Sequence, residues 1–544
     1  MKRSWRTLLP SLSDYRELRT RWRGDLLAGV TVGIVALPLA LAFGVSSGVG
    51  AEAGLITAIV AGLVAAVFGG SNIQVSGPTG AMVVVLAPIV VSQGVEAVAI
   101  VTLLAGIIVA IAGALRLGRT VSYIPWPVIE GFTVGIGIII ILQQVPSALG
   151  TEGTDHPTNA VLAAAAFIGA AQWPAALLPL GISAAVIAIM LLLTRVSGRL
   201  PASFIAIVVV TIAAQALDLP LATIGELPAS LPAPAVPSFD FNLTALIGPA
   251  FAVAALAAIE SLLSARVASS MSDTGPYNAD RELVGQGLAS IASSFFGGMP
   301  ATGAIARTAV NVRSGGRTRL SAIVHALALL TVVYFAAQVV AVIPLAALSG
   351  VLIATAARMV SPTLIRTMLR TGTAEAAVFV ITGVITVSFD LIIAVGIGIA
   401  VAAFFALRAL SKASGVHREE LPGSPEPGDE RIALFRIDGS LFFGAAERLI
   451  DRINEHDGIE VVIVRLSQLH LIDATGAHTL TELITALEKR GVTVIIKGIR
   501  PEHRDVLQRL GVIRSLRHPN HLFEELEPAI EHARSHIRRA TLAS

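Results

Sequence analysis

A series of long apolar segments runs from about residue 26 to residue 410 and dominates the chain. A helix needs roughly 20 apolar residues to cross the hydrocarbon core of a bilayer. The sequence predicts fourteen such segments, of which the third and the tenth are too short to cross as plain helices. The segments are 26–45, 51–69, 78–92, 95–115, 125–147, 175–195, 202–217, 245–268, 283–297, 303–312, 320–343, 346–360, 374–389 and 391–410. This succession predicts an α-helical polytopic membrane protein rather than a soluble enzyme.

The few charged residues are sorted among the loops. Basic residues follow the even-numbered segments, at Arg116, Arg119, Arg195, Arg199, Arg313, Arg317, Arg319, Arg366 and Arg370. The long loops 148–174 and 218–244 follow odd-numbered segments and contain acidic residues but no lysine or arginine. Because basic loops stay in the cytoplasm, the pattern predicts a multi-pass protein of the cell (inner) membrane with both termini cytoplasmic.

Composition removes several classes of function. The net charge is +2, which does not indicate a nucleic-acid partner. The chain has no cysteine, so disulfides, thiol catalysis and cysteine-ligated metal centres are excluded. From the sequence we expect no catalytic residues, no metal site and no cofactor.

Changes in composition divide the chain into four parts. A basic cytoplasmic segment (1–24) precedes the transmembrane domain (25–411), and a charged, Pro/Gly-rich linker (412–430) leads to a soluble domain (431–540). In the soluble domain we predict strands at 431–437, 460–466 and 492–498, and helices at 444–456, 474–490, 501–511 and about 521–538. This alternation predicts a small α/β domain with a mostly parallel sheet.

Two interrupted helices occupy matching places in the two halves of the transmembrane domain. The first is Ser76–Gly80 (SGPTG) and the second is Gly297–Ala304 (GGMPATGA), seven segments later. An odd number of segments per half inverts the second half, so the two half-helix N-termini would meet near the midplane. Their free N–H groups and positive dipole ends suit an anion. The alternative is that Gly and Pro are simply common in membrane helices.

Two ionisable residues lie in apolar context near these interruptions. Glu260 is in the eighth segment and is a candidate proton carrier, since intramembrane acids are costly and usually functional. Arg307 follows the second interruption and could neutralise Glu260, attract an anion, or both; the alternative is a purely structural pair. Ser264 shares a helix face with Glu260 and could hydrogen-bond a substrate, although small polar residues often serve packing. Phe43 could wall a pocket.

These residues resemble the SulP anion transporters, also called solute carrier family 26, over nearly the whole chain. The shared motifs are Asp25–Gly33 (DLLAGVTVG), Leu37–Gly44 (LPLALAFG), Ser76–Thr79 (SGPT), Ile259–Ser264 (IESLLS), Asn278–Gly287 (NADRELVGQG) and Asn311–Thr318 (NVRSGGRT). The resemblance implies a 7+7 inverted repeat, with segments 1–4 and 8–11 as a core domain and the others as a gate domain. It also implies a homodimer in the lipid bilayer and an elevator-like movement of the core.

The resemblance also implies an anion site between the starts of segments three and ten. In this sequence it falls on Phe43, Gly77, Pro78, Thr79, Ala304, Ile305, Ala306 and Arg307. Glu260 matches the acidic position tied to proton coupling in some bacterial members. The resemblance implies that sodium-coupled members have an aspartate at this position and threonines that help to bind sodium. At a position that corresponds to one of these residues, this chain has Ile305, whose side chain contains no oxygen. Leu39 replaces a glutamine of many eukaryotic members, which weakens the transfer of their substrate preferences.

The soluble domain resembles a STAS domain, the fold of anti-sigma-factor antagonists. Asp473–Gly476 matches the D-x-[ST]-G turn at the start of a main helix. Thr475 stands where the antagonists have a phosphorylatable hydroxyl, so it is a candidate regulatory phosphosite. The alternative, which we favour, is that Asp473 and Thr475 only cap the helix. A cytoplasmic protein partner of this domain is possible under the first interpretation.

The leading hypothesis from the sequence is proton-coupled secondary active transport of a small anion, with sulfate or bicarbonate as substrate and elevator-like alternating access. A C4-dicarboxylate is the alternative substrate. Three other functions rank lower: a nucleobase permease, a passive anion channel, and a membrane sensor that signals through the STAS domain.

Overall fold

The computed structural model describes residues 5–151, 159–197, 200–227, 230–238, 243–389, 391–413, 415–441 and 458–543. The chain divides into two compact units, residues 1–402 and residues 403–544. The first is almost entirely helical and the second is a mixed α/β unit.

Helices account for nearly all of the N-terminal unit, and each predicted apolar segment overlaps one of them. They are α1 (Leu18–Ser46), α2 (Ala51–Phe68), α3 (Gly80–Gln93), α4 (Glu96–Ala114), α5 (Trp126–Gln143), α6 (Val145–Leu149), α7 (Ala160–Ala170), α8 (Leu177–Val196), α9 (Ala202–Ala216), α10 (Leu243–Met271), α11 (Ala279–Phe295), α12 (Ile305–Arg313), α13 (Arg319–Ala341), α14 (Leu345–Met359), α15 (Pro362–Thr371), α16 (Thr373–Ser388) and α17 (Leu391–Ala413). Within the described ranges, eight helical stretches are long and apolar enough to cross a membrane.

Two helices occur where the sequence predicts loops. The loop 148–174 contains α7, and the connection after segment twelve contains α15. Both are shorter than a membrane span, with 11 and 10 residues, so a pattern of span-length apolar segments does not predict them. Arg366 and Arg370 of α15 are exposed and Met368 is buried, which is the pattern of a short amphipathic helix.

Packing in the N-terminal unit follows the predicted internal repeat. When each segment is exchanged for the one seven places away, four of the helix pairs that pack together are matched by four others. The matched pairs are α4–α11 with α2–α13, α1–α13 with α4–α10, α3–α10 with α1–α12, and α5–α16 with α8–α14. The segments predicted as the core domain, α1–α4 and α10–α13, therefore pack mainly on one another.

The two interrupted segments are the shortest of the matched helices. Helix α3 has 14 residues and α12 has 9, equivalent to about 21 Å and about 14 Å at 1.5 Å per residue. Each follows a two-residue extended stretch, β1 (Ser76–Gly77) and β2 (Thr302–Gly303). These stretches pair antiparallel, with Ser76 opposite Gly303 and Gly77 opposite Thr302, so the two half-helices start at a common seam.

The C-terminal unit is a sheet covered on both faces. Its strands are β3 (Gly415–Glu419), β4 (Ile432–Leu441), β5 (Val461–Arg465), β6 (Leu469–Ile472), β7 (Thr493–Lys497) and β8 (Leu522–Phe523), and its helices are α18 (Ala474–Lys489), α19 (Pro501–Arg509) and α20 (Leu526–Ala543). The order is β3-β4-β5-β7-β8, parallel except for β3–β4, and β6 also pairs with β4. Alternate strand residues face α18 and α19 on one side and α20 on the other, as a buried parallel sheet requires.

The predicted linker 412–430 differs from the structure in one respect. Residues Gly415–Glu419 form an edge strand against β4, although the surrounding sequence is charged and rich in Pro and Gly. Arg436 of β4 is paired with Glu419 of β3 and with Asp438, which supports a polar edge strand that hydropathy alone does not show. The predicted helix 444–456 lies outside the described residues.

Candidate functional site

The site is built on the seam where β1 and β2 pair. Val75 closes it from one side, because its carbonyl accepts the Ala304 N–H at 2.8 Å and its N–H donates to Thr308 Oγ1 at 3.0 Å. Thr79 and Ala304 are the N-cap residues of α3 and α12, and neither side chain caps its helix. The first N–H groups of both half-helices are therefore available to an anion.

Glu260 of α10 joins the two half-helices through one carboxylate oxygen. Thr79 Oγ1 donates to Glu260 Oε2 at 2.8 Å, and Thr302 Oγ1 donates to the same atom at 2.9 Å. The two hydroxyl oxygens are 3.2 Å apart. A single intramembrane carboxylate is thus hydrogen-bonded by one threonine from each half of the repeat.

Arg307 lies on the other side of the seam and is 1% exposed. Its Nη2 donates to the carbonyl of Pro78 at 3.0 Å, and its Nη1 is buried with no hydrogen-bond partner among the described residues. In that part of the chain no ion pair links Arg307 to Glu260, so the direct structural pair considered from the sequence is not observed. A buried guanidinium with a free N–H group is a suitable partner for an anionic oxygen.

Small residues bring these groups together. A Cβ placed on Gly77 would be 2.6 Å from Arg307 Nη1, so the guanidinium would have to shift away from β1 if this glycine were replaced. A Cβ on Gly80 would be 3.4 Å from Phe43 Cε1. Phe43 itself is buried, and its ring lies beside the first residue of α3.

The remaining predicted residues are spread around α12. Ala304 is buried at the start of the helix, whereas Ile305 and Ala306 are exposed on its first turn. Ser264 is fully buried; its Oγ is 3.5 Å from Thr308 Oγ1, and it packs behind Gly303. The structure thus brings Phe43, Gly77, Pro78, Thr79, Glu260, Ala304 and Arg307 to one seam, with Ser264 packed behind it.

Thr302 belongs to the same cluster, but the sequence analysis does not select it. Thr302 lies in Pro300-Ala-Thr-Gly303, and Thr79 lies in Pro78-Thr-Gly80. Each threonine therefore follows a proline within two residues and directly precedes a glycine. That correspondence between the two interrupted segments is the signal that would have identified it.

A cavity of about 550 Å³ lies between α3, α5, α10 and α16, lined on the α3 side by residues from Val84 to Ser92. Val84, one turn beyond the start of α3, lines it together with Gln143, Pro249 and Thr386. Gln143 Oε1 is buried and has no hydrogen-bond partner among the described residues. The cavity therefore separates two core helices from two gate helices and has the size of a small-molecule site.

In the C-terminal unit, Asp473 rather than Thr475 caps α18. Asp473 Oδ1 accepts the Gly476 N–H at 2.7 Å, while the Thr475 side chain is exposed on the first turn. The capping alternative thus holds for Asp473 and leaves the Thr475 hydroxyl accessible.

Three histidines of the C-terminal unit lie close together in the structure, although no metal site is expected from the sequence. One ring nitrogen each of His521, His532 and His536 lies within 4.8 Å of the others. The His532–His536 pair has i, i+4 spacing on α20, a signal visible in the sequence, but His521 precedes it by more than ten residues.

The chain resembles known proteins over both units. A model of the sulfate permease family matches residues 22–382, and a STAS domain model matches residues 426–529. YvdB of Bacillus subtilis (strain 168), named as a candidate sulfate transporter, is 32% identical over 507 residues, which cover 91% of this chain and 95% of YvdB. The bicarbonate transporter BicA of Synechocystis sp. is 32% identical over 519 residues, with 90% of this chain and 91% of BicA covered.

The similarity to solved structures extends over almost the whole chain. Murine solute carrier 26 family member A9, an anion transporter in the inward-facing state, superposes with a TM-score of 0.83 and 16% identity. The match covers 98% of this chain and 96% of the murine chain. At this identity the likeness establishes the fold of both units.

Proposed function

The chain belongs to the sulfate permease family of membrane anion transporters, and we propose that it takes up sulfate or bicarbonate by proton-coupled secondary active transport. Its fold is a helical membrane transporter followed by a STAS domain, and its relatives are transporters rather than enzymes. The observation that supports the proposal best is the shared carboxylate: Glu260 Oε2 accepts one hydroxyl from each interrupted helix, beside the buried Arg307.

The anion would bind between the starts of α3 and α12. The uncapped N–H groups there and the buried Arg307 Nη1 all offer donors to an oxyanion. Phe43 would form the apolar wall, and the cavity next to α3 would be the route to the membrane surface.

The proton would bind Glu260. The two threonine hydroxyls donate to one oxygen of Glu260, and protonation of the carboxylate removes the charge that faces an incoming anion. A dianion and a proton could therefore move together at lower electrostatic cost than the dianion alone. Ile305 stands at a position where the resemblance implies a sodium-binding threonine in sodium-coupled members, and its lack of a side-chain oxygen supports protons over sodium as the coupling ion.

We propose that the core helices move as one body against the gate helices. The matched packing within α1–α4 and α10–α13, and the cavity between α3 and α5, are consistent with an elevator-like shift. The proposal also includes a homodimer in the cell membrane, with both termini in the cytoplasm. It further includes regulation, either through a partner of the STAS domain or through phosphorylation at Thr475.

Uptake into proteoliposomes under an imposed inward proton gradient tests the coupling. We expect accumulation of labelled sulfate or bicarbonate by the wild type, and Glu260→Gln should reduce gradient-driven accumulation at least tenfold because the amide cannot carry a proton. Glu130→Gln is the matched control, since Glu130 accepts a hydrogen bond from Trp126 Nε1 at 2.8 Å on an exposed part of α5. Undiminished accumulation by Glu260→Gln would reject Glu260 as the proton carrier.

A competition panel then identifies the substrate. Unlabelled sulfate, bicarbonate, a C4-dicarboxylate and uracil are each offered against the labelled anion, and we expect only one of the first two to compete strongly. Competition by the dicarboxylate alone would change the substrate, and competition by uracil would favour a permease for nucleobases. Anion current without any proton movement would indicate a channel, and no flux of any anion would favour a sensor.

A further inference from the structure

Four of the eleven histidines in the chain lie between residues 518 and 536, at the C-terminal edge of the α/β unit. His521 precedes β8, and His532 and His536 are one turn apart on α20. The rings pack closely, with centroids 5.4 Å apart for His521–His532, 5.3 Å for His521–His536 and 4.9 Å for His532–His536. We propose that His521, His532 and His536 form a binding site for a divalent transition-metal ion of the Zn²⁺ type.

The geometry of the helical pair fits one metal ion. Two nitrogens that are each about 2.0–2.1 Å from one Zn²⁺ in tetrahedral geometry lie about 3.3 Å apart. The Nε2 atoms of His532 and His536 are 3.3 Å apart. The third nitrogen lies within 4.8 Å of this pair, so a small ring rotation would complete three-fold coordination.

His521 supplies an independent indication of a ligand. The residue is 3% exposed, and its Nδ1 is buried with no hydrogen-bond partner among the described residues. A buried nitrogen without a partner is costly, and a metal ion would satisfy it. The backbone of Val494 forms a hydrogen bond with the same ring, which is how proteins commonly fix the tautomer of a ligating histidine.

The surroundings keep the imidazoles uncharged. Burial, together with neighbouring histidines and Arg517, lowers the pKa of His521 to about 4. Burial, together with the histidine neighbours, Arg539 and Arg517, likewise lowers the pKa of His536 to about 4. Neutral imidazole is the form that binds metals, so the site does not need to lose protons at neutral pH.

The same surroundings select the kind of ion. Arg517 and Arg539 bring positive charge near the rings, and no carboxylate belongs to the cluster in the described part of the chain. A hard cation such as Mg²⁺ or Ca²⁺ needs oxygen ligands, which this site lacks. Zn²⁺, Cu²⁺, Ni²⁺ and Co²⁺ bind imidazole nitrogen well enough to overcome the repulsion. Three protein ligands leave a fourth position for water or for His518, whose ring centroid is 6.1 Å from that of His521.

Metal titration of the full-length protein tests the site. The chain is purified with an affinity tag that contains no histidine, stripped with a chelator, and titrated with Zn²⁺ by calorimetry and with Co²⁺ by visible absorption. We expect one Zn²⁺ per chain, a Co²⁺ spectrum of tetrahedral nitrogen coordination, and no binding of Mg²⁺. His532→Gln and His536→Gln should each weaken Zn²⁺ binding at least tenfold.

His478→Gln is the matched control, because His478 also has i, i+4 spacing with a possible ligand, Glu482, but is exposed on α18. It should bind Zn²⁺ like the wild type. Zn²⁺ should also raise the unfolding temperature of the C-terminal unit in the wild type and in His478→Gln but not in His536→Gln, which separates loss of the site from loss of the fold. A wild type that binds no Zn²⁺ at micromolar concentration, or variants that bind it unchanged, would overturn the proposal.

Discussion

At the scale of single residues, the two charged side chains at the seam have separate hydrogen-bond partners. Glu260 is held by two neutral hydroxyl donors, while the cation Arg307 is held by the carbonyl of Pro78 and keeps one N–H unpaired. The carboxylate and the guanidinium are therefore satisfied separately rather than by each other. A direct ion pair would stabilise the empty site, whereas separate partners leave both charges able to respond to ligands.

Loss of the hydroxyl at residue 302 should weaken coupling. Thr302→Val keeps the shape of the side chain but removes one of two hydrogen bonds to Glu260. A hydrogen bond to a charged group contributes about 1.5–3 kcal/mol, so we expect roughly a tenfold fall or more in proton-driven uptake. Thr308→Ser, which retains the acceptor for the Val75 N–H, is the control. Equal uptake by Thr302→Val and the wild type would contradict a role for this contact.

Arg307 should determine the affinity for the anion. Arg307→Lys keeps the charge but loses the planar fork that donates to Pro78 while presenting a free N–H group. We expect the KM for the anion to rise about tenfold or more with a smaller change in kcat, measured by initial uptake rates. Arg313→Lys at the other end of α12 should leave KM unchanged. A fall in kcat alone would place Arg307 outside the binding step.

The site residues that are easiest to predict from the sequence are those whose side chains cost the most free energy to place in a membrane. Glu260 and Arg307 stand out in the sequence because charges in an apolar segment are expensive. Thr302 does not stand out, since a hydroxyl in a membrane helix usually bonds the helix backbone, as Thr57 does with Ala53. The site assignments themselves stay predictions until binding is measured.

At the scale of elements, glycines allow helices α4 and α11 to pack unusually closely. A Cβ on Gly287 would be 2.6 Å from the carbonyl oxygen of Gly106, and a Cβ on Gly106 would be 2.8 Å from the backbone of Gly287 and Ile291. Both neighbours are backbone atoms, which cannot move aside as a flexible side chain can. Helix packing in the core domain thus depends on this pair.

Gly287→Ala should therefore destabilise the N-terminal unit. Overpacking of a close contact costs typically about 1–3 kcal/mol, despite the better helix propensity of alanine. We expect a lower unfolding temperature in detergent, followed by tryptophan fluorescence. Gly248→Ala is the control, because a Cβ on Gly248 of α10 would meet no atom within 4 Å, and it should be neutral or slightly stabilising. Two variants of equal stability would contradict the close-packing argument.

In the C-terminal unit, Arg534 of α20 ties the helix to the segment before β4. Its Nε and Nη2 each lie 2.9 Å from an oxygen of Asp429, and its Nη1 is 2.7 Å from Glu426. The hydrogen bond from Arg534 is the largest influence on Asp429 and holds its pKa below the ordinary value of 3.8. The contact between Arg534 and Asp429 thus stabilises the folded unit fully above pH 3.8. This contribution is lost as the pH falls through the lowered pKa of Asp429.

Asp429→Asn should expose this pH dependence. We expect the variant to be less stable than the wild type at about pH 7 and the difference to shrink as the pH falls below 3.8 and the wild-type carboxyl becomes protonated. Hydrogen-exchange protection of residues 526–543, corrected for intrinsic rates, measures it. Asp505→Asn, at an exposed position of α19, should show no such difference. A deficit that persists at acid pH would show that the contact acts through shape rather than charge.

Elements were predictable where a long periodic pattern specifies them. The apolar segments and the strands β4, β5 and β7 are uniform runs, and the helices and strands observed agree with them to within a few residues, apart from the longer ends of α1 and β4. The helices α7 and α15 are shorter than a membrane span, and the edge strand β3 is a charged segment that forms its strand by pairing with β4. Tertiary packing, rather than propensity, forms such elements.

At the scale of the whole molecule, the native chain is a ready background for mapping topology because it contains no cysteine. We expect Arg119→Cys to react with an impermeant maleimide only from the cytoplasmic side and Gln172→Cys only from the outside, as the positive-inside rule predicts. Labelling in intact cells and in inverted vesicles makes the comparison. Reaction of both positions from the same side would contradict the proposed orientation.

The sequence predicts the order of the elements along the chain better than their arrangement in space. The repeat is visible in the spacing of the two interrupted segments, and the matched helix pairs follow it. The approach of α10 to both half-helices depends on how the two halves interlock, which no local pattern encodes. Similarly, the histidine cluster forms because α20 returns across the sheet beside β8.

The pairing of β1 with β2 also has a consequence for the synthesis and membrane insertion of the protein. Ser76 and Gly303 are more than two hundred residues apart, so the nascent chain must hold the first interrupted helix in the bilayer long before its partner leaves the ribosome. During that interval the unpaired N–H groups of β1 and α3 have no protein partner from the second half. We expect the insertion machinery or lipid headgroups to shield them, and chains that terminate before residue 302 to be preferred substrates of membrane quality-control proteases.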